Sequence, residues 1–290
     1  MVKYTTVPPP PSRPVDAHKG SFGTVIVVGG CPAMIGAPAL TALAALRSGV
    51  GLVKIAAPEN VVPFALTIEP SATGLLMSQE IPQAMASLDE ADPSNRAVLA
   101  VGPGMGRDPL VADLVLGCLK SNRSVVLDAD GLNHLAESGQ AMADRTSPLV
   151  MTPHPGEFRR LAKPRDIDAD PTDPATRTVA AVQLARADGA IAVLKGHRSV
   201  VTDGERVYVN QTGNTVLATA GSGDVLTGLI AALMAQGMDG FQASVLGVFL
   251  HGRAGDLWQN RHGASGLTAR DLANLLPDAF DEARAVDRKK

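Results

Sequence analysis

The strongest constraint on the fold is a repeated alternation: short runs of consecutive apolar residues, each separated from the next by a segment of helical character. Residues 24–30, 52–57, 97–101, 124–128 and 149–152 place apolar side chains on successive positions. A strand with one wet face would alternate apolar with polar, so a continuous run needs cover on both faces. Residues 37–47 and 110–119 read as helices lying between such runs. The expected architecture is α/β: a three-layer α/β/α sandwich around a mostly parallel sheet.

A later stretch breaks the pattern. Residues 190–194, 199–202 and 206–210 follow one another closely, and Asp203-Gly204 offers a tight hairpin turn, which predicts an antiparallel edge. Residues 225–235 and 243–258 read as helices, and Thr268 with Asp271 forms a capping pair for a last helix through Leu276. At the other end, Pro8, Pro9, Pro10 and Pro11 remove backbone donors. Residues 1–17 are therefore expected to form an extended arm, mobile or lying on a neighbouring subunit. Residues 18–280 should form a single domain, and 281–290 a solvated polar tail.

Composition narrows the partners. With 26 Lys and Arg against 29 Asp and Glu, and aromatics at 3%, the chain lacks both the positive field and the stacking platforms that nucleic-acid binders use. Cys31 and Cys118 have neither metal-ligand spacing nor a disulfide framework, which fits a reducing compartment. No apolar run reaches the roughly eighteen residues of a membrane span, and the proline run stands where a signal peptide would carry its apolar core. A soluble, cytoplasmic protein is expected.

The segment richest in chemistry is Thr219-Ala220-Gly221-Ser222-Gly223-Asp224, directly before the helical residues 225–235. Two glycines let successive amides turn inward, and the positive end of the following helix adds to them, making a pocket for a transferring phosphoryl group. Asp224 would accept the proton of an attacking hydroxyl beside that pocket, a pairing that phosphoryl transfer requires. The alternative is an ordinary helix start capped by Ser222 or Asp224. Lys195-Gly196-His197-Arg198-Ser199 ends a strong strand, where its polar groups would meet nucleotide phosphates or simply form a solvated turn. Thr152-Pro153-His154-Pro155-Gly156-Glu157 and Gly102-Pro103-Gly104-Met105-Gly106 follow other strands, at the carboxyl ends where open α/β sheets place ligands. Neither that second loop nor Gly29-Gly30 opens a dinucleotide fingerprint, which sets aside a nicotinamide dehydrogenase, and there is no P-loop lysine motif.

Together these segments resemble the ADP-dependent NAD(P)H-hydrate dehydratases of the ribokinase-like superfamily. The resemblance runs from His18 to about Leu276. It rests on His18-Lys19-Gly20-Ser21-Phe22-Gly23, Gly36-Ala37, Ala44-Ala45-Leu46-Arg47-Ser48-Gly49-Val50-Gly51 and Gly102-Pro103-Gly104. It continues through Leu127-Asp128-Ala129-Asp130, the His154 segment through Phe158, Lys195-Gly196, and Thr212-Gly213-Asn214 leading into Gly221-Ser222-Gly223-Asp224. Ser222 stands where many relatives carry Thr, which keeps the hydroxyl.

The resemblance implies repair of hydrated NADH and NADPH, with ADP phosphorylating the unwanted hydroxyl so that it leaves as phosphate, and with AMP as the co-product. It implies Asp224 as base and the amides of Gly221 and Gly223 as phosphoryl contacts. Lys195, Gly196, His197, Arg198 and Ser199 with Gly223 would bind the nucleotide. Ala37, Gly104, His154 and Asp224 would hold the hydrated dinucleotide. Magnesium is expected with the nucleotide, supported through water by Glu157, and no direct ligand is named. A separate epimerase, a substrate of S configuration and a homo-oligomer, possible as a tetramer, are further implications. A vitamin-precursor kinase of the same superfamily and a nucleotide-binding regulator without turnover are the competing readings.

Overall fold

The apolar runs become the middle of a single sheet because their successive side chains feed two separate cores. In the computed structural model, which describes residues 1–287, Val25, Val27, Val53 and Ile55 point into one core, and Ile26, Val28, Leu99 and Leu127 into the other. The strands are β1 (Val2–Lys3), β2 (Thr24–Val28), β3 (Leu52–Ala57), β4 (Thr73–Leu76), β5 (Val98–Val101), β6 (Val125–Leu127), β7 (Leu149–Met151), β8 (Ile191–Leu194), β9 (Val200–Thr202) and β10 (Arg206–Val209). They lie in the order β1-β10-β9-β8-β7-β6-β5-β2-β3-β4.

The helices are α1 (Gly36–Arg47), α2 (Val62–Ile68), α3 (Ile81–Ala91), α4 (Pro109–Lys120), α5 (Ala129–Ser138), α6 (Pro155–Ala162), α7 (Arg177–Asp188), α8 (Ser222–Ala235), α9 (Gly240–His262) and α10 (Ala269–Asp287). Helices α1, α2, α8, α9 and α10 cover the first face, and α3 to α7 the second. The result is the expected three-layer sandwich. Small residues set the spacing of the first layer: a Cβ on Gly228 of α8 would fall 2.1 Å from the carbonyl oxygen of Thr41 in α1.

The predicted hairpin forms, with β9 antiparallel to both β8 and β10. Gly204 takes φ +93° at its turn, and Asp203 Oδ1 accepts from the amides of Glu205 and Arg206. The outermost strand beyond it, β1, is parallel to β10.

Two expectations need correction. The amino-terminal arm packs on its own chain: the amides of Val2 and Tyr4 donate to the carbonyls of Glu205 and Val207 at 2.8 Å. Tyr4 meets Phe241 edge-on, and Arg13 donates to the Gly49 carbonyl while stacking over Phe22. The last helix, started as expected by Thr268 and Asp271, does not stop at Leu276. It carries Pro277 inside and runs to Asp287, because Leu272, Ala273, Leu276, Ala279 and Phe280 continue one buried stripe. Most of the expected polar tail is thus helix, and residues 288–290 lie outside the described residues.

The topology dictates where a ligand can sit. From β2 the chain moves outward through β3 and β4, then returns to place β5 on the other side of β2. The crossovers diverge at that point, leaving a crevice at the carboxyl ends of β2 and β5. No described helix is long and apolar enough to cross a membrane.

Candidate active site

Glycines let three loops crowd into the crevice. Gly102, leaving β5 with φ +117°, lies so close to the loop leaving β6 that a Cβ would come within 1.9 Å of the Asp128 carbonyl oxygen. Gly104, at φ +62°, faces α1, where its Cβ would be 2.9 Å from that of Ala37. These two predicted substrate positions are therefore neighbours. One turn along α1, Leu40 reaches Gly221, 3.0 Å from where a Cβ would stand. Ala129, just after β6, adopts φ +49°, unusual for a residue with a side chain and seated between the carboxylates of Asp128 and Asp130.

Gly221 occupies the cap position of α8 in the left-handed region, φ +82°, without any side-chain capping bond. Ser222 and Asp224 are inside the first turn, so the alternative reading in which either caps the helix is not what the backbone does. The amides of Gly223 and Asp224 donate to no acceptor among the described residues. They are two of the orphan donors that every helix start leaves, here aligned with its positive end. Asp224 stands beside them with its pKa raised to about 7, chiefly by burial and then by the charge of Asp128, with Lys195 pulling the other way.

The charge next to this turn is tightly organised. Asp128 is 2% exposed; its Oδ1 accepts from Lys195 Nζ at 2.7 Å and its Oδ2 from Thr227 Oγ1 at 2.7 Å. Burial opposes ionisation, yet the ammonium and the hydrogen bonds of Lys195, Thr227 and Thr152 outweigh it and hold the Asp128 pKa low. The same pairing outweighs burial at Lys195 and keeps its pKa high, so the lysine stays charged. Its Nζ lies 3.3 Å from the Cβ position of Gly223 and 3.8 Å from Glu157.

His154 starts α6. Its Nδ1 accepts from the amides of Gly156 and Glu157, and Glu157 Oε2 accepts from the His154 amide at 2.8 Å, a reciprocal capping box. The ring Nε2 then faces Glu157 Oε1 at 3.4 Å. Burial and Lys195 lower the His154 pKa, whereas burial raises that of Glu157 to about 7.

The predicted nucleotide segment splits in two. Lys195 reaches inward, while His197 and Arg198 are exposed, Arg198 at φ +56°. Ser199 Oγ turns back to the Gly196 carbonyl. Arg177 of α7 holds the loop by donating to the carbonyls of Leu194 and His197. Sequence reasoning named neither Arg177 nor the contacts of Asp128. Arg177 gave no signal, being one of many arginines; Asp128, a carboxylate closing an apolar strand, gave a weak one.

A family model described as NAD(P)H-hydrate dehydratase matches residues 25–278. The chain belongs to that family. Members similar to it include the bifunctional NAD(P)H-hydrate repair enzyme of Moorella thermoacetica, 42% identical over 92% of this chain and 51% of the relative. The chain thus spans about half the length of the first curated relatives it matches. The ADP-dependent (S)-NAD(P)H-hydrate dehydratase of Neisseria meningitidis is 38% identical over 90% of this chain and 86% of its own. Among solved NAD(P)H-hydrate dehydratases, the ADP/ATP-dependent enzyme of Bacillus subtilis, co-crystallised with ATP and Mg2+, superposes with a TM-score of 0.80 at 30% identity, covering 94% of each chain.

Proposed function

We propose that this chain dehydrates the (6S)-hydrates of NADH and NADPH at the expense of ADP, yielding NADH or NADPH, AMP and phosphate. The observation that carries the reading is Asp224: a carboxyl group with its pKa raised to about 7, beside unpaired helix-start amides and a half-buried ammonium. The crevice beside Ala37 and Gly104, together with His154, would take the dinucleotide, and the loop of Lys195 to Ser199 the adenosine diphosphate.

Hydroxide is a poor leaving group. Ionised Asp224 takes the hydroxyl proton while the oxygen bonds to the terminal phosphorus of ADP and the bond to the AMP oxygen breaks. The amides of Gly221 and Gly223, with that of Asp224, would receive the charge of the migrating phosphoryl group at a preorganised site. Lys195, fixed by Asp128, adds a positive charge at no cost in reorganisation. The ring nitrogen lone pair then expels phosphate, and loss of a proton from the adjacent ring carbon restores the double bond.

Among the described residues no group of three or more His, Cys, Asp or Glu side chains is arranged to hold a metal. Glu157 would support magnesium carried by the nucleotide through water, the metal's charge offsetting that of the phosphates. An epimerase acting on the same hydrates is the partner activity, and the free thiols of Cys31 and Cys118 suit a cytoplasmic setting. Exposed Phe64, Leu76 and Leu110 suit a homo-oligomer, which light scattering measures.

The test is an assay with hydrated NADPH, ADP and Mg2+, following the return of dihydronicotinamide absorbance in the near ultraviolet. Absence of recovery, together with phosphate appearing on a vitamin-precursor alcohol, would replace this reading with that of a kinase.

A further inference from the structure

Against the glycine turn lies a half-buried group for which the proposed chemistry has no use. His251 of α9 places its Nε2 2.9 Å from the carbonyl oxygen of Ser222 and 3.2 Å from its hydroxyl. A carbonyl can only accept, so Nε2 carries a hydrogen.

The bond has a directional consequence. The peptide joining Ser222 to Gly223 is trans, and in a trans peptide the C=O and N–H point in opposite directions within one plane. Fixing the Ser222 oxygen from behind fixes the Gly223 N–H pointing forward. Donation to the carbonyl also polarises that peptide and makes its N–H a better donor. We propose that His251 is a positioning residue for phosphoryl transfer, holding the Ser222 carbonyl so that the Gly223 amide faces the migrating group. This inference rests on the functional reading above.

The rest of α9 supports it, because one face of that helix shapes the whole approach to the glycine turn. Asp256 accepts from the Gly213 amide at 3.2 Å and from Asn214 Nδ2 at 2.9 Å. Gly252 lies so close to Thr212 that a Cβ would stand 2.3 Å from its Oγ1, and Gly255 is as closely packed on Leu217, at 2.8 Å. His251 is the contact of this face nearest to the phosphoryl cradle. Burial, and after it the nearby Lys195, push its pKa down to about 4, so at neutral pH the imidazole is uncharged and keeps the tautomer the contact requires.

Two substitutions separate positioning from packing. His251→Leu removes the donor; His251→Gln keeps an N–H. The expected result for His251→Leu is a kcat lower by about tenfold to a hundredfold, the range for one preorganised donor made less effective. The KM for hydrated NADPH and the affinity for AMP should stay within about threefold, whereas inhibition by inorganic phosphate, the product seated at the Gly223 amide, weakens about tenfold. His251→Gln should recover most of the rate. Wild-type rates in His251→Leu, or a Gln variant as slow as the Leu variant, would overturn the proposal.

Should His251→Leu not fold, nitrogen-15 NMR of the wild-type imidazole decides: a ring with hydrogen on Nε2 at pH 7 is expected, and a neutral Nδ1–H tautomer refutes it. A wild-type chain that shows no ADP-dependent turnover would count against the functional reading instead. The phosphate-affinity comparison would then still judge His251.

Discussion

The Lys195 ammonium lies 2.7 Å from a carboxylate oxygen of Asp128, a residue 67 positions earlier in the chain. That pair closes one side of the glycine turn and faces Asp224, whose proton affinity it helps to set. Asp128→Asn would remove the negative neighbour and release the lysine, and both changes favour ionised Asp224. The acid limb of the kcat profile should therefore move to lower pH. Stability should fall by about 3 kcal/mol, at the low end for breaking a buried pair because Glu157 remains near Lys195. A pH series of initial rates, with denaturant melts, checks both; an unmoved acid limb would show that Asp128 does not act on the base.

Asp224→Asn should leave ADP affinity within a few-fold and lower turnover by about two orders of magnitude or more, as expected for loss of a positioned base. In the wild type, kcat should rise with pH through about 7 as Asp224 ionises. Calorimetric titration with ADP and steady-state assays between pH 5.5 and 8.5 (roughly the range spanning a group near 7) measure these effects. Full activity in the variant would require another proton acceptor.

The same raised pKa has a sign in stability. Folded Asp224 holds a proton up to about pH 7, whereas the unfolded carboxyl loses it near its ordinary value of 3.8. Between these values the native state binds more protons, so this group's contribution is present at low pH and lost as pH rises through about 7. Asp224→Asn should thus raise Tm relative to wild type at pH 8 and have little effect on it at pH 4. Equal shifts at both pH values would place the carboxyl in a wetter environment than its burial implies.

Gly102→Ala should be among the most damaging single-methyl changes. The residue sits at φ +117°, and its new Cβ would meet the Asp128 carbonyl oxygen at 1.9 Å, forcing apart the loops that leave β5 and β6. By contrast Gly36, on the first turn of α1, has nothing within 4 Å of its Cβ position. Gly36→Ala should be neutral or stabilising by up to about 1 kcal/mol. Thermal melts of the two variants side by side give the comparison, and similar losses in both would contradict it.

Much of the sheet is legible in the sequence because its central strands are buried on both faces, which leaves the runs that become β2, β3, β5, β6 and β7 apolar apart from Thr24 and Lys54. The elements sequence reasoning left unassigned are those with weaker patterns. Edge strand β4 is largely exposed and contains Gly74. Helix α7 spreads buried alanines among arginines without a clear stripe. Strand β1 is two residues long and is held by hydrogen bonds to Glu205 and Val207, a pairing that no local preference encodes.

In the site, the glycine turn and its aspartate are legible because their chemistry is consecutive in the chain. The partners of Asp128 are not: Lys195, Thr227 and Asp224 meet it only through the order of β6, β8 and α8 around the crevice. His251 was invisible for another reason, since a histidine inside an apolar helix reads as ordinary packing until the carbonyl it touches is known.

The attachment of β1 to β10 also bears on how the molecule is made. During synthesis Val2 and Lys3 leave the ribosome about two hundred residues ahead of Arg206 and Val207, their partners in the sheet. Closing so long a loop is slow and contributes little until the rest of the sheet exists. The nascent amino-terminal segment must therefore wait, with its prolines discouraging premature pairing, and its docking marks the completion of the sheet rather than its nucleation.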